Sequence, residues 1–157
     1  RAYQWYAPAC FNMYRRDFLL QNELFFKVGI YFEDMQMLPR VFLAAQKIAC
    51  MDGVFYHYVV RENSIMTSQK DTKKKNNSIQ NLREWKEQFD HVQDAELRKI
   101  LYGMLVKCYL HECRVYGITK WEIDGVDFKF VVNNSLNFKE KIKGLLFALL
   151  PKCYVRV

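Results

Sequence analysis

The stretch NSIQNLREWKEQFDHVQDAELRKILYGMLVKCYLHECRVYG, residues 77–117, carries the clearest fold signal in the chain. Ile79, Leu82, Trp85 (or Lys86) and Phe89 recur at helical spacing, as do Leu97, Leu101, Leu105, Cys108 and Tyr109. The spacing predicts one helix over 77–92 and a second over 94–116. Gly117 stops the second, because glycine accepts the left-handed conformation that ends a helix.

The signal weakens on either side of this hairpin. Upstream, RENSIMTSQKDTKKKN (61–76) holds one apolar pair, Ile65-Met66, and reads as an exposed loop whose basic part is 70–76. Before it, IACMDGVFYHYVV (48–60) is dense in β-branched and aromatic residues around Asp52-Gly53, and predicts one or two short strands about a turn. Leu38, Val41, Phe42 and Ala45 fit one helix face. Pro39 is tolerated only near a first turn, so that helix is expected to begin about Leu38. Arg15 to Leu20 reads as a brief helix, and Gly29 interrupts the pattern after it. Downstream, WEIDGVDFKFVV (121–132) reads as strand or loop, and Asn134-Ser135 opens a last helix running to Leu150 and ended by Pro151. The expectation is a helix-rich α+β fold.

Composition sets the outer limits. A chain of 157 residues suits one domain with a sizeable core and is short for two ordinary ones. With 51% apolar residues, six Gly and three Pro, it belongs to neither the disordered nor the fibrous class. No apolar run approaches the roughly 18 residues of a membrane span; the longest is Leu145 to Leu150. The opening RAYQWYAPAC lacks an initiator Met and a signal pattern, and reads as a cut inside a larger protein.

The net charge of +7 suggests a polyanionic partner until it is mapped. Lys70, Lys73, Lys74 and Lys75 against Asp71, with Lys139, Lys141, Lys143, Lys152 and Arg156 against Glu140, account for the whole excess. The cations do not interleave with the aromatics as a nucleic-acid stacking platform requires, so no nucleic-acid partner is expected. The lysines of 73–75 read as a solvated loop or a phosphate site. Segment 137–157 reads either as an interfacial helix for an anionic membrane surface or as a C-terminal helix packed on the core.

The five cysteines are odd in number, irregularly spaced and free of any CxxC, so neither a disulfide framework nor a zinc knuckle is indicated. They read as buried free thiols of a reducing cytosol. His111-Glu112-Cys113 begins like a zinc-protease motif, but Val115 stands where the second His belongs.

Residues 8–68 hold an ordered series. Tyr14-Arg15-Arg16-Asp17-Phe18-Leu19 comes first, followed by Asn22-Glu23-Leu24-Phe25-Phe26 and Gly29-Ile30-Tyr31-Phe32-Glu33-Asp34. Tyr56-His57-Tyr58 and Arg61-Glu62-Asn63-Ser64-Ile65 complete it. On its own, Glu33-Asp34 reads as a helix cap favoured by the dipole, and Arg61 as a salt-bridged loop residue.

As a set, these segments resemble the second half of bacterial family 2 glycosyltransferases, inverting enzymes of the GT-A fold that build cell-surface polysaccharides. The resemblance fades after residue 70. It implies an acceptor-side part of the catalytic domain over 1–69, then the basic loop 70–76 and a helical extension over 77–157. It also implies Asp34 as catalytic base, Glu33 as its partner in orienting acceptor hydroxyls, and Arg61 with Ser64 on the donor diphosphate. The partners implied are a nucleotide-sugar donor and a glycan or lipid-linked acceptor, and the place implied is the cytoplasm or the inner face of the plasma membrane.

Two departures stand out. Cys10 or Phe11 occupies the neighbourhood of a tryptophan usual before Tyr-Arg-Arg. The Asp-x-Asp motif that holds Mn2+ or Mg2+ in the full-length enzymes is missing, since Asp124 and Asp127 have the wrong spacing. This chain therefore implies no metal ligands of its own, and its 157 residues alone are expected to be inactive.

Overall fold

Helices form where an apolar stripe finds a surface to cover, and among the described residues no sheet is present. A computed structural model describes residues 8–51, 53–57, 59–60, 62, 64 and 71–156. Helix takes 61% of the described residues and strand takes none, so the expected α+β, GT-A-type architecture is corrected to an all-helical one. The cause lies in 48–60. A strand needs a hydrogen-bonding partner, whatever its propensity. None of the described residues of this segment is in a strand, and Val54 is 89% exposed.

The chain divides into two compact units, one ending at Asp71 and the other beginning at Thr72. The first holds a short 3-10 turn at Ala9–Phe11, α1 (Arg16–Gln21) and α2 (Glu33–Ala44). Leu24, Met37 and Val41 form its small core, with Tyr14, Phe18, Leu19 and Ala44 packed around them. Arg40 ties the turn after α1 to α2, its guanidinium donating to the carbonyls of Glu23 (2.9 Å) and Phe25 (3.2 Å). α2 starts five residues earlier than Pro39 had suggested and carries that proline in its interior. Proline there has no N–H to donate to the helical ladder; burial of Met37, Leu38 and Val41 outweighs the loss.

The second unit is a helical bundle of α3 (Thr72–Asp90), α4 (Ala95–Tyr116), α5 (Phe128–Asn134), α6 (Phe138–Leu149) and α7 (Pro151–Tyr154). α3 packs on α4, which also meets α5 and α6. The α4 boundaries agree with the sequence reading. Asp94 caps its start, accepting from the amides of Glu96 and Leu97, and Gly117 ends it at φ +66°. α3 begins earlier than expected, so Lys73, Lys74 and Lys75 are helical rather than part of a loop. Tertiary contacts explain this, because Lys75 pairs with Glu122 at 2.9 Å and Lys74 is buried. The strand-or-loop at 121–132 is a turn leading into α5, which ends at Asn134, the position expected to open the last helix. That helix, α6, starts instead after Asn137, which caps it by accepting from Glu140 N–H at 2.9 Å.

Leu82, Phe89, Leu105, Val106, Tyr109 and Val131 are fully buried at the centre of this unit. Trp121 packs edge-on to Phe147 (4.6 Å between centroids), and Phe147 packs against Tyr154 (5.6 Å). The Tyr154 hydroxyl donates to the Leu110 carbonyl at 2.8 Å, pinning α7 to α4. Two glycines allow close approach. A side chain at Gly103 would meet Leu136 and the Asn134 carbonyl, and one at Gly144 would meet Val131.

The cysteines are free, but burial is not general: Cys10, Cys50 and Cys153 are exposed, and only Cys113 is fully buried. Burial, with Glu112 nearby, pushes the Cys108 thiol up to about 12, and burial likewise pushes Cys113 up to about 12. No helix among the described residues is long and apolar enough to cross a membrane.

Candidate functional site

The start of α2 brings the sequence-predicted carboxylates into one helical turn. Gly29 turns the chain at φ +82°, and Phe32 follows in the left-handed region at φ +61°, an unusual conformation for a bulky residue. Phe32 sits at the N-cap without a side-chain cap bond, and its carbonyl accepts from Gln36 N–H at 3.1 Å. Glu33 and Asp34 thus occupy the first turn, at the positive end of the helix dipole.

The two carboxylates differ in setting. Glu33 is exposed, whereas Asp34 is half-buried and accepts from Met35 N–H at 2.8 Å. Burial raises the Asp34 carboxyl above the ordinary aspartate value; the Met35 amide opposes that, and the charge of Glu33 adds to it. The backbone amide of Ala9 also faces this carboxylate. Tyr14 is held above the usual phenol value by burial and then by the charge of Asp34. Ala9 and Tyr14 are the site neighbours that sequence reasoning missed. Tyr14 lay inside the Tyr-Arg-Arg segment, but nothing local linked it to a carboxylate twenty positions on.

The 3-10 turn that carries Ala9 also carries Phe11, whose ring meets Tyr56 edge-on at 5.4 Å. Phe11, in the neighbourhood of the missing tryptophan, therefore contributes to an aromatic pair beside the turn that faces Asp34. Ser64 is half-buried in a bend and has an interaction of its own. Arg61 and Tyr58 lie outside the described residues. The diphosphate-binding pair therefore rests on the sequence resemblance alone.

A divalent cation of the Mn2+ or Mg2+ class asks for several oxygen ligands converging on one point. Among the described residues no three Asp, Glu, His or Cys side chains converge in this way. Glu33 and Asp34 do not make up such a set, so no step is assigned to a metal held by this chain.

A cleft of about 480 Å³ belongs to the second unit and is lined by Asn76, Asn77, Ile79, Gln80, Arg83 and Glu122. Its one guanidinium is engaged: Arg83 donates from Nη2 to the Glu122 carbonyl at 2.7 Å. Comparison with family models, with curated proteins and with solved structures gives no match for this chain.

Proposed function

We propose that this chain is the acceptor-side part of an inverting glycosyltransferase that moves a sugar from a nucleotide-sugar donor to a glycan or lipid-linked acceptor. The reading is carried by one observation: a half-buried aspartate, raised in pKa, in the first turn of α2 with a second carboxylate beside it. A general base needs enough basicity to accept a proton, and partial burial increases that basicity. Glu33, exposed on the same turn, is assigned by the resemblance to orienting acceptor hydroxyls.

In the step envisaged, Asp34 takes the proton of an acceptor hydroxyl while that oxygen forms a bond to the anomeric carbon. The bond from that carbon to the diphosphate oxygen breaks, and the nucleoside diphosphate leaves with the electron pair. Arg61 and Ser64 are assigned to that leaving group by resemblance. Phe11 and Tyr56 offer an aromatic face of the kind that packs on a sugar ring.

The test is Asp34→Asn in the longer protein to which this part belongs. The neutral amide keeps the shape and loses the base, so turnover should fall about 10²–10⁴-fold with little change in KM. Near-normal turnover would refute the assignment. The 157 residues alone should show no transfer, and detectable transfer by them would overturn that part of the reading.

A further inference from the structure

We propose that α6 docks the second unit onto an anionic lipid surface through its outward face. This inference stands apart from the transfer chemistry and rests on how α6 is turned. Its inner face, built from Glu140, Gly144 and Phe147, is buried against the bundle. Phe138, Ile142, Leu145 and Leu149, at helix positions i, i+4, i+7 and i+11, line the opposite side and remain exposed, Phe138 at 77% and Leu149 at 69%. The two readings of this segment are therefore compatible, since each concerns a different face. The helix packs on the core with one side and leaves an apolar stripe on the other.

Charge selects the occupant. Lys139 and Lys141 are exposed on the two flanks of the stripe, and Lys152 and Arg156 are exposed just beyond it. Glu140, the sole acid in residues 137–156, is 6% exposed on the inner face, where its carboxylate accepts from Leu136 N–H at 3.2 Å. The exposed charge of this segment is thus entirely cationic. A second copy seated on this face in a symmetric dimer would bring its own cations against these. An anionic headgroup layer instead satisfies the flanking lysines while the stripe enters the acyl boundary, as interfacial helices do.

The experiment is co-sedimentation of the full 157-residue chain with vesicles of phosphatidylcholine alone, or of equal parts phosphatidylcholine and phosphatidylglycerol. Binding is expected to the anionic vesicles only. Leu145→Gln with Leu149→Gln should abolish it. Lys139→Gln with Lys141→Gln should weaken it about fivefold for each lysine removed. Lys47→Gln with Lys99→Gln removes the same charge from exposed positions elsewhere, and should leave most of the binding intact.

Absence of binding, equal binding to neutral vesicles, or an equal loss in the Lys47/Lys99 control would each overturn the proposal. So would a dimer in analytical ultracentrifugation that the leucine pair dissolves. If the leucine pair disturbs folding by circular dichroism, the lysine pair still decides, since its side chains are exposed.

Discussion

In the unit from Thr72 onward, side chains cap the starts of α4, α5 and α6: Asp94, Asp127 and Asn137 each accept a bond from an amide of the helix that follows. In the unit up to Asp71, α1 and α2 follow Arg15 and Phe32, neither of which supplies a side-chain cap bond. The cores differ in the same sense. One unit interlocks Trp85, Phe89, Tyr109 and Phe147, while the other rests on Leu24, Met37 and Val41 and leaves Val28 96% exposed. The well-capped unit is built to hold itself together, and the sparsely capped one presents a carboxylate pair. Under the function proposed above, stability and chemistry would occupy different parts of the chain, as expected where functional geometry is kept at a cost in local consistency.

The comparison is sharpest in core truncation. Phe89→Ala removes a fully buried ring and should lower the stability of the second unit by about 3–5 kcal/mol in denaturant unfolding. Leu24→Ala in the first unit should cost about 2 kcal/mol, the low end for such a change, because a small core relaxes around the gap. Equal costs would break the contrast.

Close backbone packing comes next. Gly103→Ala gains helix propensity but drives a methyl group into Leu136 and the Asn134 carbonyl. The expected net loss is about 1–2 kcal/mol, read as a lower melting temperature. A stabilised variant would show that the α4 approach is looser than described.

The smallest effect is the most diagnostic, because its sign differs between the units. Burial would raise Asp90, but the Lys86 ammonium at 2.7 Å and the Tyr102 hydroxyl at 2.6 Å hold it below its ordinary value near 3.8. Asp90 thus contributes stability above that ordinary value, and the contribution is lost as pH falls through the lowered one. Asp34 is raised, so its ionisation disfavours the fold at neutral pH, and the penalty disappears as pH falls from its folded value to the ordinary one. Asp90→Asn should therefore destabilise at pH 7 and do little in strong acid, and Asp34→Asn should stabilise at pH 7. For the partly exposed Asp90 the effect stays below about 1 kcal/mol after screening. The check is the unfolding midpoint of each variant against pH.

How much of this was legible in the sequence follows the same division. The α4 span and the buried face of α3 could be read because Ile79, Leu82, Trp85, Phe89, Leu101 and Leu105 repeat at helical spacing and Gly117 punctuates the end. The first turn of α3 could not, because Lys73 to Lys75 look solvated until Glu122, far along the chain, supplies a partner. The strands expected at 48–60 failed because propensity names no pairing partner. At the site, the two carboxylates were legible as the opening of a helix, though Pro39 set that opening too late. Tyr14 and the Ala9 amide were invisible, since their approach to Asp34 is a tertiary fact.

The deeply placed sulfurs have a practical consequence. With their thiols pushed to about 12, Cys108 and Cys113 hold almost no thiolate at neutral pH, whereas Cys10, Cys50 and Cys153 lie open to reagents. An alkylating tag added to the native chain thus marks three positions at once and waits on two. Of those two, Cys113 is fully buried and is consumed only as the bundle opens, so the slowest phase of labelling is a built-in clock for its breathing, with no engineered probe.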